Sequence, residues 1–227
     1  MRIIEPSVEI LNPPNYQAML KHIEFAARTC YKSEDKISEG SAEDLIKRLI
    51  KMNHLSVLEH INISVRFICD RGVSHELVRH RLCSFSQEST RYCNYSGDKF
   101  GKELTFIRPC FYSEGDDEYT IWKDCMRESE SGYLKLLEYG SSPQEARSVL
   151  PISLKTDIVV TANIRQWRTM FEQRCASAAH PQMRQSMLPL LGKFIADYKV
   201  FFEDMFDIHI DGLTSFANKV WQFAEVI

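Results

Sequence analysis

No part of the 227-residue chain contains a run of about eighteen apolar residues, so no membrane-spanning helix is expected. The start, MRIIEPSVEIL, has no long apolar stretch after its basic residue, which argues against a secretory signal peptide. Net positive charge is lacking too, because the formal charge is −3, whereas proteins that bind nucleic acid through a basic surface are normally positive. We therefore expect neither a nucleic-acid partner nor a membrane partner, and basic clusters should serve a small anion.

Several metal and cofactor motifs are also absent. The seven histidines show neither HxxxH nor HExxH spacing, so a zinc hydrolase site is not supported and no metal site is expected. Without a G-x-G-x-x-G fingerprint, a dinucleotide site of the Rossmann type is not expected. The seven cysteines form no CxxC pair and their number is odd, which is typical of reduced thiols in a cytoplasmic protein.

Strand and helix patterns follow one another without regular alternation, which predicts an α+β fold. With 44% hydrophobic residues the chain can bury the core of one domain, or at most two, and we expect a single domain over residues 1–227. Strands are predicted at 1–11, 61–69, 104–108 and 152–161. Helices are predicted at 16–31, 42–52, 71–81, 117–139, 143 to about 150, 163 to about 174, 181 to about 206, and 214–225.

Residues with known capping preferences mark several of these helix ends. Ser41 begins an S-A-E-D capping signal, and Asn163 can cap the helix that carries Arg165 and Arg174. Gly140 is expected to end the long helix 117–139.

The densest polar cluster is the run RHRLCSFSQESTRY, from Arg79 to Tyr92. Its arginines offer planar forks that match phosphate oxygens, and its serine hydroxyls add uncharged donors. The predicted helix 71–81 would place Glu76, Arg79 and His80 on one face, and the Ser-rich stretch after it predicts a loop. The cluster suits a polyanion with a polar ring, although charge runs are also common on solvated surfaces.

This run resembles the signature of the flavin-dependent thymidylate synthases, in which RHR is followed after seven residues by serine. Further segments resemble that family in order and spacing, namely His54–His60 (HLSVLEH), Ala146–Pro151 (ARSVLP), Thr161–Arg165 (TANIR) and Arg174. The resemblance covers about residues 45–185. It implies a fold built around one mixed sheet with long flanking helices, assembled as a homotetramer.

The resemblance implies an enzyme that reductively methylates dUMP to dTMP. Its carbon donor would be 5,10-methylenetetrahydrofolate, FAD would mediate hydride transfer, and NADPH would be the reductant. Arg174 occupies the family position credited with polarising the pyrimidine, so it is the implied catalytic residue. Cys83 lies inside the signature, but it is interpreted as a small half-buried residue, and no cysteine is expected to act as nucleophile.

The family positions also imply two sets of binding residues. The implied dUMP-binding residues are Glu76, Arg79, Gln87, Glu88, Ser89, Arg91, Arg147 and Arg174. The implied FAD-binding residues are His54, Ser56, Arg79, His80, Arg81, Gln87, Asn163 and Arg165. Arg147 is compatible with reaching the site from another subunit. The chain departs from the family at Ser86-Gln87, where some members have Asn-Glu, and at Thr169, where members often carry Asn or His.

A second class of function is also compatible with the cluster. A module that binds single-stranded RNA or nucleotides could use the Arg-rich run, with Phe85, Tyr92 and Tyr95 as stacking groups. The net charge of −3 and the wide separation of Arg147 and Arg174 from the run count against this alternative.

Overall fold

The computed structural model describes residues 1–11, 13–97, 101 and 103–206. Its strands are β1 Arg2–Ile4, β2 Ser7–Leu11, β3 Asn62–Asp70, β4 Ser84–Gln87, β5 Thr105–Ile107 and β6 Lys155–Asn163. Its α-helices are α1 Tyr16–Thr29, α2 Ser41–Lys51, α3 Arg71–Leu77, α4 Asp117–Glu138, α5 Pro143–Ala146, α6 Ile164–Arg174, α7 Pro181–Asp197 and α8 Lys199–Phe202. The predicted α+β class is confirmed, and the helix predicted at 214–225 lies outside the described residues.

Within the described ranges the strands form two sheets, where a single mixed sheet was expected. β1 and β5 pair in parallel, with Arg2 opposite Thr105, and the other four strands have the order β2-β3-β6-β4. The strand predicted at 1–11 is interrupted at Pro6, which has no N–H to donate to a ladder. Because of this break, β1 joins the two-stranded sheet and β2 joins the four-stranded one.

The signature run adopts a different local structure from the one predicted. Asp70 caps α3 by accepting a hydrogen bond from the Val73 N–H at 2.8 Å, and α3 ends at Leu77. Arg79 and His80 therefore lie beyond α3 and do not share a helix face with Glu76. The Ser-rich stretch contains strand β4, because pairing with β6 outweighs the local serine-to-backbone bonds that favour a loop.

The two predicted N-caps have different outcomes. Asn163 caps α6 as predicted, since its side-chain oxygen accepts a hydrogen bond from the Gln166 N–H at 2.8 Å. Ser41 is the first residue inside α2, and the N-cap is Gly40, whose φ of 78° lies in the left-handed region. The Ser41 hydroxyl instead donates to the buried Glu24 carboxylate at 2.6 Å, which links α2 to α1.

One of the two long helices ends where the sequence predicts, and the other does not. Gly140, with φ 93°, ends α4 in a Schellman motif in which the Ser141 N–H donates to Leu136 O at 2.9 Å, as the predicted stop requires. The helix predicted from Pro181 to about 206 is divided into α7 and α8. The division falls at Tyr198, whose φ of −133° and ψ of 45° are not helical.

The described residues group into two compact units, each discontinuous in sequence. The first unit contains Met1–Ser7, Arg66–Arg79 and Phe85–Val159. Its core is an aromatic cluster in which Tyr95, Tyr119, Trp122 and Tyr133 pack with Phe106 on β5. Trp122 Nε1 donates to the Ser153 hydroxyl at 3.1 Å, so the indole N–H is satisfied inside this core.

The second unit contains Val8–Val65, His80–Ser84 and the chain from Val160 onward. Rings from α6, α7 and α8 form its core, where Trp167 stacks on Phe171 at 5.9 Å and Phe194 contacts Phe202 edge-on at 5.1 Å. Among the described ranges, no helix combines the length and the apolar character needed to cross a membrane.

We expect Arg168 to be the main polar contact that stabilises α6 against α8 in the second unit. Its buried guanidinium donates to Phe201 O at 2.6 Å and to both Asp204 oxygens at 2.7 and 2.6 Å. Arg168→Met leaves the Phe201 carbonyl without this donor, so the free energy of unfolding should fall by about 1–3 kcal/mol. Urea unfolding measures the change. Lys47→Met, which removes the more exposed Lys47–Glu203 pair, is the control with a smaller effect, and equal stability of both variants would contradict the assignment.

Candidate active site

A pocket of about 330 Å³ opens in the second unit beside the end of α2. Its polar lining includes His54, Ser56 and Arg165, three of the residues implied for FAD, and Leu49 and Leu55 supply apolar surface. Apolar walls with a few placed polar groups are typical of small-molecule sites. The structure therefore brings these three predicted residues together in one pocket.

A helix C-cap positions the His54–Ser56 segment at this pocket. At the end of α2 the His54 N–H donates to Leu49 O at 2.8 Å, and the Asn53 N–H donates to Ile50 O at 2.9 Å. Asn53 has φ 57°, the left-handed conformation that a Schellman motif requires and that asparagine tolerates better than most residues. This turn directs the chain out of α2 so that His54 and Ser56 line the pocket.

Arg165 enters the pocket from the first turn of α6. Its guanidinium is half exposed and donates to Glu59 Oε1 at 2.7 Å. Glu59 belongs to the short 3₁₀ helix Ser56–His60, which begins two residues after His54. The ion pair therefore joins the two segments that carry the polar residues of the pocket.

His80 and Arg174 form a hydrogen bond inside the second unit. Arg174 Nε donates to His80 Nε2 at 2.9 Å, and the His80 residue is only 6% exposed. Because a guanidinium has no acceptor, Nε2 must be unprotonated, and the ring is neutral with its proton on Nδ1. The Gln166 amide nitrogen lies 3.4 Å from Nδ1, and because this nitrogen is a donor, the amide must turn its oxygen toward Nδ1–H to accept from it. Both neighbours of the ring belong to α6.

Burial is the main cause that lowers the pKa of His80 to about 4, and the positive charge of Arg174 lowers it further. Both causes favour the neutral ring that accepts from Arg174. A neutral, desolvated imidazole thus fixes the plane of one arginine without competing with it for anions.

Two thiols of this unit, those of Cys83 and Cys175, are poor candidates for nucleophiles. Burial raises the pKa of Cys83 to about 11 and that of Cys175 to about 12. Since the thiolate is the reactive form, both groups are almost fully protonated at neutral pH. Cys83 is half buried beside Met170, which agrees with its interpretation as a small packing residue.

The first unit holds most residues implied for dUMP, and it uses some of them internally. Gln87 Nε2 donates to Ser74 Oγ at 2.9 Å and to Thr156 Oγ1 at 3.2 Å, and both hydroxyl residues are fully buried. Glu88 is likewise engaged, through Lys155 and Tyr95. The side chains of Gln87 and Glu88 therefore have structural partners within their own unit.

The remaining predicted residues are placed as follows. In the first unit Arg79, Arg91 and Arg147 are exposed, whereas Glu76 and Ser89 are partly buried. Arg147 Nη1 lies 3.4 Å from Thr90 Oγ1, which brings Arg147 to the turn that follows Ser89. In the second unit Arg81 is exposed.

Several contacts of the predicted site residues were not predicted from the sequence, among them those of Lys155, Tyr95 and Gln166. Lys155, Tyr95 and Gln166 contact predicted site residues at sequence separations of 67, 7 and 86. Only Gln166 had a local signal, because it lies three residues after the predicted cap Asn163. Within the described part of the chain, no group of His, Cys, Asp and Glu side chains could hold a metal ion.

Comparison with known proteins agrees with this picture. The family model described as "Thymidylate synthase complementing protein" matches residues 15–196. The flavin-dependent thymidylate synthase of Geobacter sulfurreducens is 30% identical over 188 residues, covering 77% of this chain and 79% of that protein. The enzyme of the same name from Pyrococcus furiosus is 33% identical over 173 residues, or 73% and 70% of the two chains. That from Mycobacterium sp. (strain JLS) is 33% identical over 210 residues, or 82% and 80%.

A solved structure shares the fold. The UMP/dUMP methylase PolB from Streptomyces cacaoi, crystallised with 5-Br dUMP, aligns with a TM-score of 0.72. The alignment covers 89% of this chain and 96% of PolB, at 24% sequence identity. At this identity the likeness concerns the arrangement of helices and strands.

The pKa of His80 predicts how stability depends on pH. Its value of about 4 in the folded state lies below its ordinary value of 6.5, so the unfolded chain binds a proton first as pH falls. The stability that His80 contributes is present above pH 6.5 and is lost progressively down to about pH 4, by up to about 1.4 kcal/mol per pH unit. Urea unfolding across this window should show a steeper loss for the wild type than for His80→Gln, which does not titrate. His22→Gln is the control, and equal slopes for all three proteins would refute the assignment.

Proposed function

The chain belongs to the thymidylate synthase complementing protein family, and on that premise we propose that it is a flavin-dependent thymidylate synthase that methylates dUMP to dTMP. The observation that carries the proposal is the match over residues 15–196, which contains every residue of the pocket and of the His80–Arg174 pair. This match favours the enzyme over the alternative of an RNA-binding module.

The lining of the pocket in the second unit supports contact with part of a flavin. Its volume of about 330 Å³ lies at the lower end of the usual range for ligand sites. Donors on His54, Ser56 and Arg165 suit the polar ring edge or the phosphates, and the leucine side chains suit the flat ring. A bound flavin supplies hydride transfer to the reaction. The other proposed flavin-binding residues are Arg79, His80, Arg81, Gln87 and Asn163. Of these, His80 and Arg81 are close in sequence to the residues assigned to dUMP.

We assign dUMP to the residues of the signature run and its neighbours. Ser89, Arg91 and Arg147 have the chemistry to hold the phosphate, because arginine forks and hydroxyls donate to its oxygens. The exposed guanidinium groups of Arg91 and Arg147 can reach a ligand from solvent. Glu76 and Arg79 are assigned to the same substrate.

Arg174 is proposed to activate the pyrimidine. Carbon 5 of uracil becomes nucleophilic when negative charge develops on the ring, and a fixed guanidinium stabilises that charge without giving up its proton. His80 supports this role, because it accepts from Nε and orients the guanidinium while remaining neutral. The high pKa values of Cys83 and Cys175 support a reaction without a thiol nucleophile.

The finer identity of the cofactor, the co-substrates and the assembly belongs to the same proposal. FAD is the proposed flavin, NADPH the reductant and 5,10-methylenetetrahydrofolate the carbon donor.

The family match includes segments of both compact units, which supports one domain over residues 1–227. A homotetramer is proposed as well. The resemblance to the family over about residues 45–185 supports this assembly.

A direct assay tests this function. The purified protein is expected to be yellow and to release FAD on denaturation. With dUMP, 5,10-methylenetetrahydrofolate and NADPH it should form dTMP, detected by chromatography, and omission of any one component should stop the reaction. Failure to form dTMP by a folded, flavin-loaded protein would refute the proposal.

Arg174 variants should separate activation from binding. Arg174→Ala should slow dUMP-dependent oxidation of reduced flavin by about 10²-fold, because it removes a preorganised charge that acts in the transition state. Arg174→Lys should recover only part of the rate, since lysine lacks the planar fork. Reduction of the flavin by NADPH without dUMP should continue in both variants. Arg127→Ala, on the exposed surface of α4, is the control, and a near wild-type rate for Arg174→Ala at saturating dUMP would refute its role.

Asn163 variants should separate capping from flavin binding. Asn163→Asp keeps an oxygen that can accept from the Gln166 N–H, but it replaces the amide donor by a negative charge. This variant should fold with wild-type stability and retain less flavin. Asn163→Ala should lose the flavin contact and also about 1 kcal/mol of stability. Thermal unfolding and the flavin absorbance of the purified proteins measure both effects, and normal flavin content in Asn163→Asp would leave the residue with a capping role alone.

A further inference from the structure

The segment Glu88–Tyr95, here called the 88–95 loop, is a tight turn built around Ser89. The Ser89 carbonyl accepts hydrogen bonds from the Tyr92 N–H at 3.1 Å and the Cys93 N–H at 2.9 Å. The Ser89 hydroxyl oxygen accepts from the Arg91 N–H at 3.3 Å. The loop therefore presents Ser89 and Arg91 together, and both are assigned to the dUMP phosphate.

The carboxylate of Glu88 joins the two ends of this loop and ties them to β6. Its Oε1 accepts from the Tyr95 hydroxyl at 3.0 Å, and its Oε2 accepts from Lys155 Nζ at 2.8 Å. The side chains of Glu88 and Lys155 are 11% and 24% exposed, so the ion pair is largely shielded from water. Each carboxylate oxygen has its own donor, and the Glu88 charge is compensated locally.

The same three residues are anchored in the rigid part of the first unit. Tyr95 is 5% exposed, and its ring lies 5.9 Å from the ring of Tyr133 in the aromatic core. The Glu88 N–H donates to Asp157 O at 2.8 Å, which fixes the start of the loop to β6. Movement of the loop would thus require breaking contacts both to the core and to the sheet.

We propose that Glu88, Lys155 and Tyr95 form a clamp that holds the 88–95 loop in the shape that binds the dUMP phosphate. Glu88 then acts as a positioning residue and not as a ligand of dUMP, which changes the role implied by the family resemblance. A carboxylate beside a phosphate would repel it, whereas a carboxylate engaged by Lys155 and Tyr95 does not need to face it. This inference rests on the proposed function and adds three positioning residues to it.

The clamp is tested by binding and turnover of flavin-loaded variants, with [³H]dUMP as the probe in equilibrium dialysis. Lys155→Met, Tyr95→Phe and Glu88→Gln should each raise the dUMP dissociation constant by about tenfold, the size of one lost charge-assisted contact. The turnover number at saturating dUMP should stay close to that of the wild type. The double variant Glu88→Gln/Lys155→Met should bind dUMP no more weakly than whichever single variant binds it less tightly, because both changes disrupt the same clamp.

Two controls separate positioning from general damage. Lys155→Arg keeps the positive charge and should retain most of the affinity, which a merely space-filling role for Lys155 would not predict. Arg108→Met removes a different cation of the first unit. Arg108 pairs with Glu5 on the surface, so dUMP binding by this variant should be unchanged. Tyr95→Phe preserves the ring in the core, so it keeps the test informative if the charged variants fold poorly.

The outcomes distinguish the clamp from its alternatives. If Glu88→Gln weakens binding while Lys155→Met and Tyr95→Phe bind normally, Glu88 is a ligand of dUMP and the clamp is wrong. Normal binding by all three variants, or a loss of turnover at unchanged affinity, also overturns it. If the wild-type protein itself fails to bind dUMP, the proposed function fails and the clamp fails with it, whereas all other negative results leave the proposed function intact.

Discussion

The alternation of side chains along β6 is the constraint on which the arrangement of functional residues depends. From Lys155 to Asn163 every second residue is fully buried, and those between them are only partly buried. The buried set includes Thr156, which accepts from Gln87, and the other set includes Lys155, which pairs with Glu88. The last residue of the strand, Asn163, caps α6. A shift of one residue in strand register would exchange these two faces and remove the contacts of Thr156 and Lys155 together.

Features that depend on neighbouring residues could be predicted from the sequence. Spacing within a few residues predicts that Asn163 caps a helix and that Gly140 ends one. It also predicts that Arg165 and Arg174 lie on one helix. Contacts between distant segments could not be predicted in this way. β4 forms because a partner strand is present, and the His80–Arg174 bond joins residues 94 positions apart. The family resemblance indicated which side chains matter, but it could not indicate that Gln87 and Glu88 are held by their own unit.

Desolvation shapes the chemistry of the second unit in two opposite directions. It lowers the pKa of His80 and raises that of Cys83, and in both cases it favours the uncharged form. Arginine keeps its charge even when it is partly buried, because its pKa is far above neutral. The unit therefore combines neutral imidazole and thiol groups with a permanent cation at Arg174. Such a combination suits a reaction in which negative charge develops on a substrate ring and no protein group has to lose a proton.

The contacts among Glu88, Lys155 and Tyr95 also limit how these positions can change during evolution. A change at any one of these positions leaves a charge or a hydroxyl group without the partner it has here. Substitutions at the three sites should therefore be accepted as a set, for example by a lineage that replaces the glutamate and the lysine together with apolar residues. Position 95 is further restricted to large rings, because the side chain also fills the aromatic core. Covariation among these positions in relatives would record the same contact that the geometry shows in this one chain.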